Sequence, residues 1–257
     1  GQTTTGSVEM TAKNGAQLVY TLTVKYFNDE ITDPVAIIGT KKYATLADAL
    51  AAAVSGDTIE LQKDLTINNS AVSSTPNNPV IGLPAGVSFN GGGHTITADS
   101  ASWVANPSAS YGTNHIIGIT GGTATISNVI LAGHATLKSG VVAYGTGTNV
   151  TIDTVTATNC GNCGVQVSGA TVVLNNLNTS GNAWGAVNAD KGSDGSMPAV
   201  TFNSGTMAEN VEIYTEITDQ DVVTAPSLTK YQGFGTNLKG FIYYTSDVSR
   251  LGTVIDG

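Results

Sequence analysis

Short apolar strands recur down the middle of the chain. Each is followed by a turn of Gly, Thr or Asn and then by a second short strand ending on a small polar residue. The first strands are Ile117-Gly118-Ile119, Val141-Val142-Ala143, Val165-Gln166-Val167 and Ala186-Val187-Asn188. The second strands are Ile126-Ser127-Asn128-Val129, Ile152-Asp153-Thr154-Val155, Leu174-Asn175-Asn176-Leu177 and Phe202-Asn203-Ser204. A repeat of strands and turns with a period in the twenties and no helix between predicts a solenoid of stacked coils. In such a stack Ile126, Ile152, Leu174 and Phe202 line up inside. Ser127, Asp153, Asn175 and Asn203 form an outward row by the period-two alternation of a strand. Asn128, Thr154, Asn176 and Ser204 fall at the turn, where their side chains can hydrogen-bond from coil to coil.

Other elements flank the repeat. Val8, Met10 and Ala12 alternate, Asn14-Gly15 turns the chain, and Leu18, Tyr20, Leu22, Val24 and Tyr26 alternate again, which predicts a β-hairpin over residues 1–30. Residues 29–34 read as a linker. Leu46, Ala49, Leu50 and Ala53 lie on one face of an amphipathic helix over 45–55, with Thr45 as N-cap and Gly56 expected to end it. Laid over the first coil, this helix would cover an otherwise sticky sheet end. Further strands are expected at 57–61, 81–83, 87–90 and 95–96. Gly91-Gly92-Gly93 forms a tight turn, and polar excursions occupy 68–79 and 99–114. Beyond Gly205 the acids and aromatics concentrate, with strands expected at 211–214 and 241–244. Residues 205–257 are read either as a last coil with a cap or as a small module pairing with 1–30.

Two stretches carry a family resemblance. Tyr43 to Ile67 (YATLADALAAAVSGDTIELQKDLTI) and Val87 to Ile96 (VSFNGGGHTI) resemble the opening of pectate-lyase-like right-handed parallel β-helices. Such openings occur especially in adhesin-like surface proteins of bacteria and archaea. The resemblance covers residues 35–204 and implies an all-β, right-handed parallel β-helix with a capping helix. It says little about activity, because that superfamily hosts lyases, hydrolases, adhesins and structural proteins.

Composition narrows the chemistry. Only 11% of residues are charged, against roughly 25% in an average globular protein, and the net charge is −9. An acidic, Lys- and Arg-poor chain is not expected to bind nucleic acid. No apolar run approaches the ~20 residues of a spanning helix, so membrane insertion is not expected. Opening on Gly1 without Met or a signal-like segment is what a processed, exported protein would show. An extracellular or cell-surface location is therefore expected. The partners expected are further copies of the chain, other surface proteins, or host or cell-wall glycans.

Polysaccharide cleavage is the activity this fold invites. It requires two carboxylates about 5 to 9 Å apart across one bond. Between Leu65 and Ile152 the charged side chains, His aside, are Asp99 and Lys138 alone. Asp153 is the one candidate acid on the repeat, flanked by Ser127 and Asn175 in its row. The lyases that the resemblance implies pair calcium-binding acids with a base, but the sole Arg, Arg250, lies outside the repeat. No catalytic residue is assigned, with Asp153 kept as the alternative.

Trp103, Tyr144 and Trp184 are candidate sugar-stacking platforms near Asp153, or else aromatics packed under loops. Asp190 and Asp194 stand at positions 1 and 5 of a partial calcium loop, Asp190-Lys191-Gly192-Ser193-Asp194-Gly195. Cys160 and Cys163 share one turn and are expected to be structural, either bridged or reduced. His94, His115 and His134 fall on three different coils and could act together only if the turns aligned them.

Overall fold

The computed structural model describes residues 2–12, 14–26, 30–69, 80–104, 114–209, 212–215 and 241–243. The chain divides into two compact units, Gly1–Asp33 and Pro34–Gly257. Most of the 70–79 and 99–114 excursions lies outside the described residues, as do 216–240 and 244–257.

The first unit is an antiparallel hairpin of β1 (Gln2–Thr11) and β2 (Gln17–Tyr26), in register from Gln2↔Tyr26 to Thr11↔Gln17. Asn14 and Gly15 make the turn, with Gly15 in the left-handed region at φ 81°. The first strand begins six residues before the Val8-Met10 alternation, because the Thr-rich start carries no apolar signal yet still pairs.

The second unit opens with β3 (Ala36–Ile38), β4 (Lys41–Tyr43) and α1 (Leu46–Ala52). Thr45 caps the helix, accepting from the Asp48 amide at 3.1 Å and donating its hydroxyl to Asp48 Oδ2 at 2.7 Å. The helix stops earlier than its apolar spacing predicts. Its C-cap is Ala53, in extended conformation. Asp57 Oδ2 accepts from the Val54 amide at 2.9 Å, and Asp57 donates its own N–H to the Val54 carbonyl. That side-chain turn competes with another helical turn and leaves Gly56, at φ 95°, inside it.

From there the chain winds into a β-solenoid of about five turns, all-β apart from the one short helix. Each coil presents three faces. Face A holds β7 (Ile81–Leu83), the start of β10 (His115–Ala132), the start of β11 (Ser139–Thr158), β12 (Cys163–Ser168) and β14 (Gly185–Asp190). Face B holds β5 (Thr58–Leu61), β8 (Ser88–Asn90), the middles of β10 and β11, the start of β13 (Thr171–Ser180) and β15 (Ala199–Phe202). Face C holds β6 (Leu65–Ile67), β9 (Thr95–Ala98), the ends of β10, β11 and β13, and β16 (Gly205–Met207). All pairings between coils are parallel. Face A continues through β17 (Ile213–Thr215) and β18 (Phe241–Tyr243), so these C-terminal strands extend the solenoid's own sheet. At the other end β3 lies antiparallel on β5, beside α1.

The repeat packs as inward columns. On face B, Ile59, Phe89, Ile126, Ile152, Leu174 and Phe202 align coil on coil, all essentially inaccessible. Ile81, Ile117, Val141, Val165, Val187 and Ile213 do the same on face A. Full burial of one such side chain stabilises by about 1.5–3 kcal/mol. On face A two outward positions are covered as well, Val142 and Asn188 being only 2% and 3% exposed.

The bend between faces B and C uses left-handed backbone at non-glycine residues. Asn128, Thr154 and Asn176 have φ of 50°, 57° and 53°. Asn tolerates this conformation, whereas a β-branched Thr is strained in it. Amides and hydroxyls bridge the coils here: Asn128 Nδ2 donates to Asn90 Oδ1 at 3.2 Å, and the Asn176 amide donates to Ser204 Oγ at 2.8 Å. In the adjacent outward row Asn203 Nδ2 donates to Asn175 Oδ1 at 2.7 Å.

Candidate functional site

Asp153 lies on face B in an outward row that reads Glu60, Asn90, Ser127, Asp153, Asn175, Asn203. Its carboxylate accepts from the neighbouring Thr154 hydroxyl at 3.0 Å. The other acid of the row, Glu60, stands three coils away. At ~4.8 Å per coil that is about 14 Å, beyond the ~5–9.5 Å over which two carboxylates act on one glycosidic bond.

The three candidate aromatics do not gather around Asp153. Trp103 follows face C of an early coil and is 8% exposed, its ring edge-on to His134 at 5.2 Å between centroids. It is a packing residue rather than a sugar platform. Tyr144 ends the face A segment of β11, half-buried, and its hydroxyl is bonded to Ser193 Oγ. Trp184 stands at the corner between faces C and A and is 48% exposed.

The Asp190–Gly195 segment is held by its own bonds. Asp194 Oδ1 accepts from the amide and hydroxyl of Ser196, and Oδ2 accepts from the Thr146 amide at 3.2 Å. These bonds, the Ser196 hydroxyl first, hold the Asp194 carboxyl far below the usual carboxylate range. The acid therefore straps the 191–198 loop onto the turn after Tyr144. Asp190 ends β14, in register with Ser168. Among the described residues no three His, Cys, Asp or Glu side chains converge as a metal would require.

Cys160 and Cys163 are free thiols, both buried, so of the two states open to them the structure holds the reduced one. Burial pushes the Cys160 thiol up to about 12, and it pushes Cys163 well above the ordinary thiol range. Such thiols are poor nucleophiles and poor metal ligands. The histidines stay apart. His94 Nδ1 lies 3.2 Å from Asp64 Oδ1, His115 is buried against Ser139, and His134 faces Thr136 and Trp103. Asp64 also accepts from the Thr95 amide at 2.9 Å; that bond first, and His94 second, hold its carboxyl below the usual carboxylate range.

The C/A corner of the last coils is where polar groups do converge. Asn182, buried, accepts from the Cys160 amide at 2.9 Å through Oδ1. Its Nδ2 donates to the Ala157 carbonyl at 3.1 Å and to Glu209 Oε1 at 2.7 Å. Glu209 Oε1 also accepts from the Asn182 amide at 3.3 Å, and Oε2 accepts from Thr179 Oγ1 at 2.6 Å. Beside this network opens a cavity of about 230 Å³ lined by Gly181, Asn182, Ala183, Trp184, Gly185, Ala208 and Glu209.

Sequence reasoning marked Trp184 but missed Asn182 and Glu209. A Trp set among small residues in Gly181-Asn182-Ala183-Trp184-Gly185 was the available signal. Glu209 lies past the last clear repeat and carried none.

Comparison with family models, with curated proteins and with solved structures found no match. No helix among the described residues is long and apolar enough to cross a membrane.

Proposed function

We propose that this chain is a non-enzymatic, extracellular surface protein, adhesin-like or structural, that joins neighbouring molecules through its terminal β-strands. The resemblance of residues 43–67 and 87–96 to adhesin-like members of the pectate-lyase-like superfamily supports the adhesin type. The observation that carries the reading is the contrast between the two ends of the solenoid. At the N-terminal end β3, β4 and α1 lie beside the first coil. At the C-terminal end, among the described residues, β15 and β16 pair only with β13, and β18 pairs only with β17. An open strand edge is a template for another strand. The hairpin of β1 and β2 adds two more, since a two-stranded ribbon is marginally stable alone. Partners in this reading are further copies of the chain, other surface proteins or surface glycans.

Along the coils, outward positions are spent on hydrogen bonds between neighbouring coils, and Asp153 has Ser127 and Asn175 as row neighbours. That arrangement supports a scaffold rather than a cleaving groove. Deleting residues 1–28 is expected to abolish oligomers or filaments of the native protein. Light scattering and electron micrographs that match those of the full chain would sink the self-association reading.

A further inference from the structure

We infer that the C/A corner at Trp184 is a binding site for an uncharged pyranose unit of a surface glycan. This rests on the adhesin-like reading and supplies it with a ligand site. Four observations converge on it.

First, Trp184 offers a broad apolar surface at a corner otherwise made of small residues. Trp184 is the one exposed tryptophan of the two in the chain. Gly181, Ala183, Gly185 and Ala208 leave room for a flat ring to lie beside the indole. Sugar rings present a face of C–H bonds that packs on aromatic surfaces, as apolar ligands in general do on a large rigid ring.

Second, the platform is preorganised. The Trp184 amide donates to the Asn162 carbonyl at 2.7 Å, and the Ala183 amide donates to the Cys160 carbonyl at 3.0 Å. Both bonds reach the preceding coil, so little backbone freedom is left to lose on binding.

Third, Glu209 retains acceptor capacity at the cavity wall. A carboxylate offers about four lone-pair positions. Three are taken, two on Oε1 and one on Oε2, which leaves Oε2 able to accept from a ligand hydroxyl. Thr179 and Asn182 hold the group in place, so its direction is set before a ligand arrives.

Fourth, size and charge define the class. At about 230 Å³ the cavity is smaller than the ~300 Å³ at the low end of drug-sized pockets, which suits one sugar ring rather than a long chain segment. Among the described residues Glu209 is the one ionisable side chain of the lining, in a chain of net charge −9. A uronate would bring its carboxylate against that of Glu209. The site therefore selects neutral hexose or N-acetylhexosamine units and rejects polyuronides.

Isothermal titration of the full chain with cellohexaose, mannohexaose and chitohexaose, with oligogalacturonate as the charged control, tests this. At least one neutral oligosaccharide is expected to bind with a dissociation constant of roughly 1 mM or below. Trp184→Ala should weaken it about tenfold, while Trp184→Tyr keeps most of the affinity. Glu209→Gln should weaken neutral binding a few-fold and let oligogalacturonate begin to bind. No heat from any neutral probe would overturn the site, as would a preference of the wild type for oligogalacturonate. Neutral binding unchanged in Trp184→Ala would overturn the site while leaving the adhesin-like reading standing. Circular dichroism of each variant separates a lost site from a lost fold.

Discussion

The middle coils and the C-terminal corner are built from the same repeat, yet they spend their polar groups differently. In the middle coils Asn128, Thr154, Asn176 and Asn203 face outward and bond to the coil above or below. Those groups are consumed in holding the stack together. At the corner Asn182 and Glu209 also bond across coils, but they do so beside an open cavity and a half-exposed tryptophan. Regular coils spend their polar groups on structure, and in the proposed reading contacts fall to the places where the stack ends or turns sharply.

The largest losses are expected in the regular coils. Ile152→Ala empties a fully buried position in the face B column and should cost about 2–5 kcal/mol in denaturant unfolding. Gly161→Ala should cost about 1–3 kcal/mol, because an added Cβ would collide with the Ala135 carbonyl oxygen one coil below. Both effects should be larger than anything produced on the outward rows, and a smaller loss in Ile152→Ala than in an outward variant would refute the column.

The corner network comes next. Asn182→Ala leaves the buried Cys160 amide and the Ala157 carbonyl without their partner, and about 1–3 kcal/mol should be lost. Hydrogen exchange should then quicken at Cys160 before it does in the face B strands. An unchanged rate there would mean that the network does not hold the corner.

The smallest stability effect should be a gain. Thr154 alone of the three bend residues is β-branched in left-handed backbone, so Thr154→Asn should stabilise by up to about 1 kcal/mol in the same unfolding assay. Asn176→Thr, the reverse exchange one coil on, should destabilise by a similar amount. If both changes shift stability in the same direction, backbone strain is not what distinguishes these positions.

Alkaline pH probes the buried thiols. Their folded pKa values lie above the unfolded value near 8.5, so the stabilisation from keeping them neutral is complete below that pH. It is lost as pH rises from there toward about 12, the Cys160 value. The melting temperature should fall over that window, and a Cys160→Ala/Cys163→Ala variant should show a shallower fall. Equal slopes in the two proteins would exclude the thiols as the cause.

A linear pattern carries the spacing of coils but not the packing between distant segments. The inward columns were readable because Ile126, Ile152 and Leu174 recur at nearly the spacing of a coil, and a one-residue slip would turn them outward. The turn at Asn128, Thr154 and Asn176 was readable for the same reason. The helix end was not, because the Asp57 side chain captures the Val54 amide and stops a pattern that its apolar spacing would let continue. Trp103 and Trp184 look alike in sequence, and only packing decides that one lies against His134 while the other faces the cavity. Glu209 acquires its role from Thr179 and Asn182, about thirty residues earlier, through the stacking of coils.

If contacts form at the ends and the C-terminal corner rather than along the coil faces, electron microscopy of the native protein with the coil axis resolved will show it. Particles joined end to end through the terminal strands are the predicted result. Particles packed side by side along the Asn- and Thr-bearing rows, or solely monomers at every concentration examined, would contradict it.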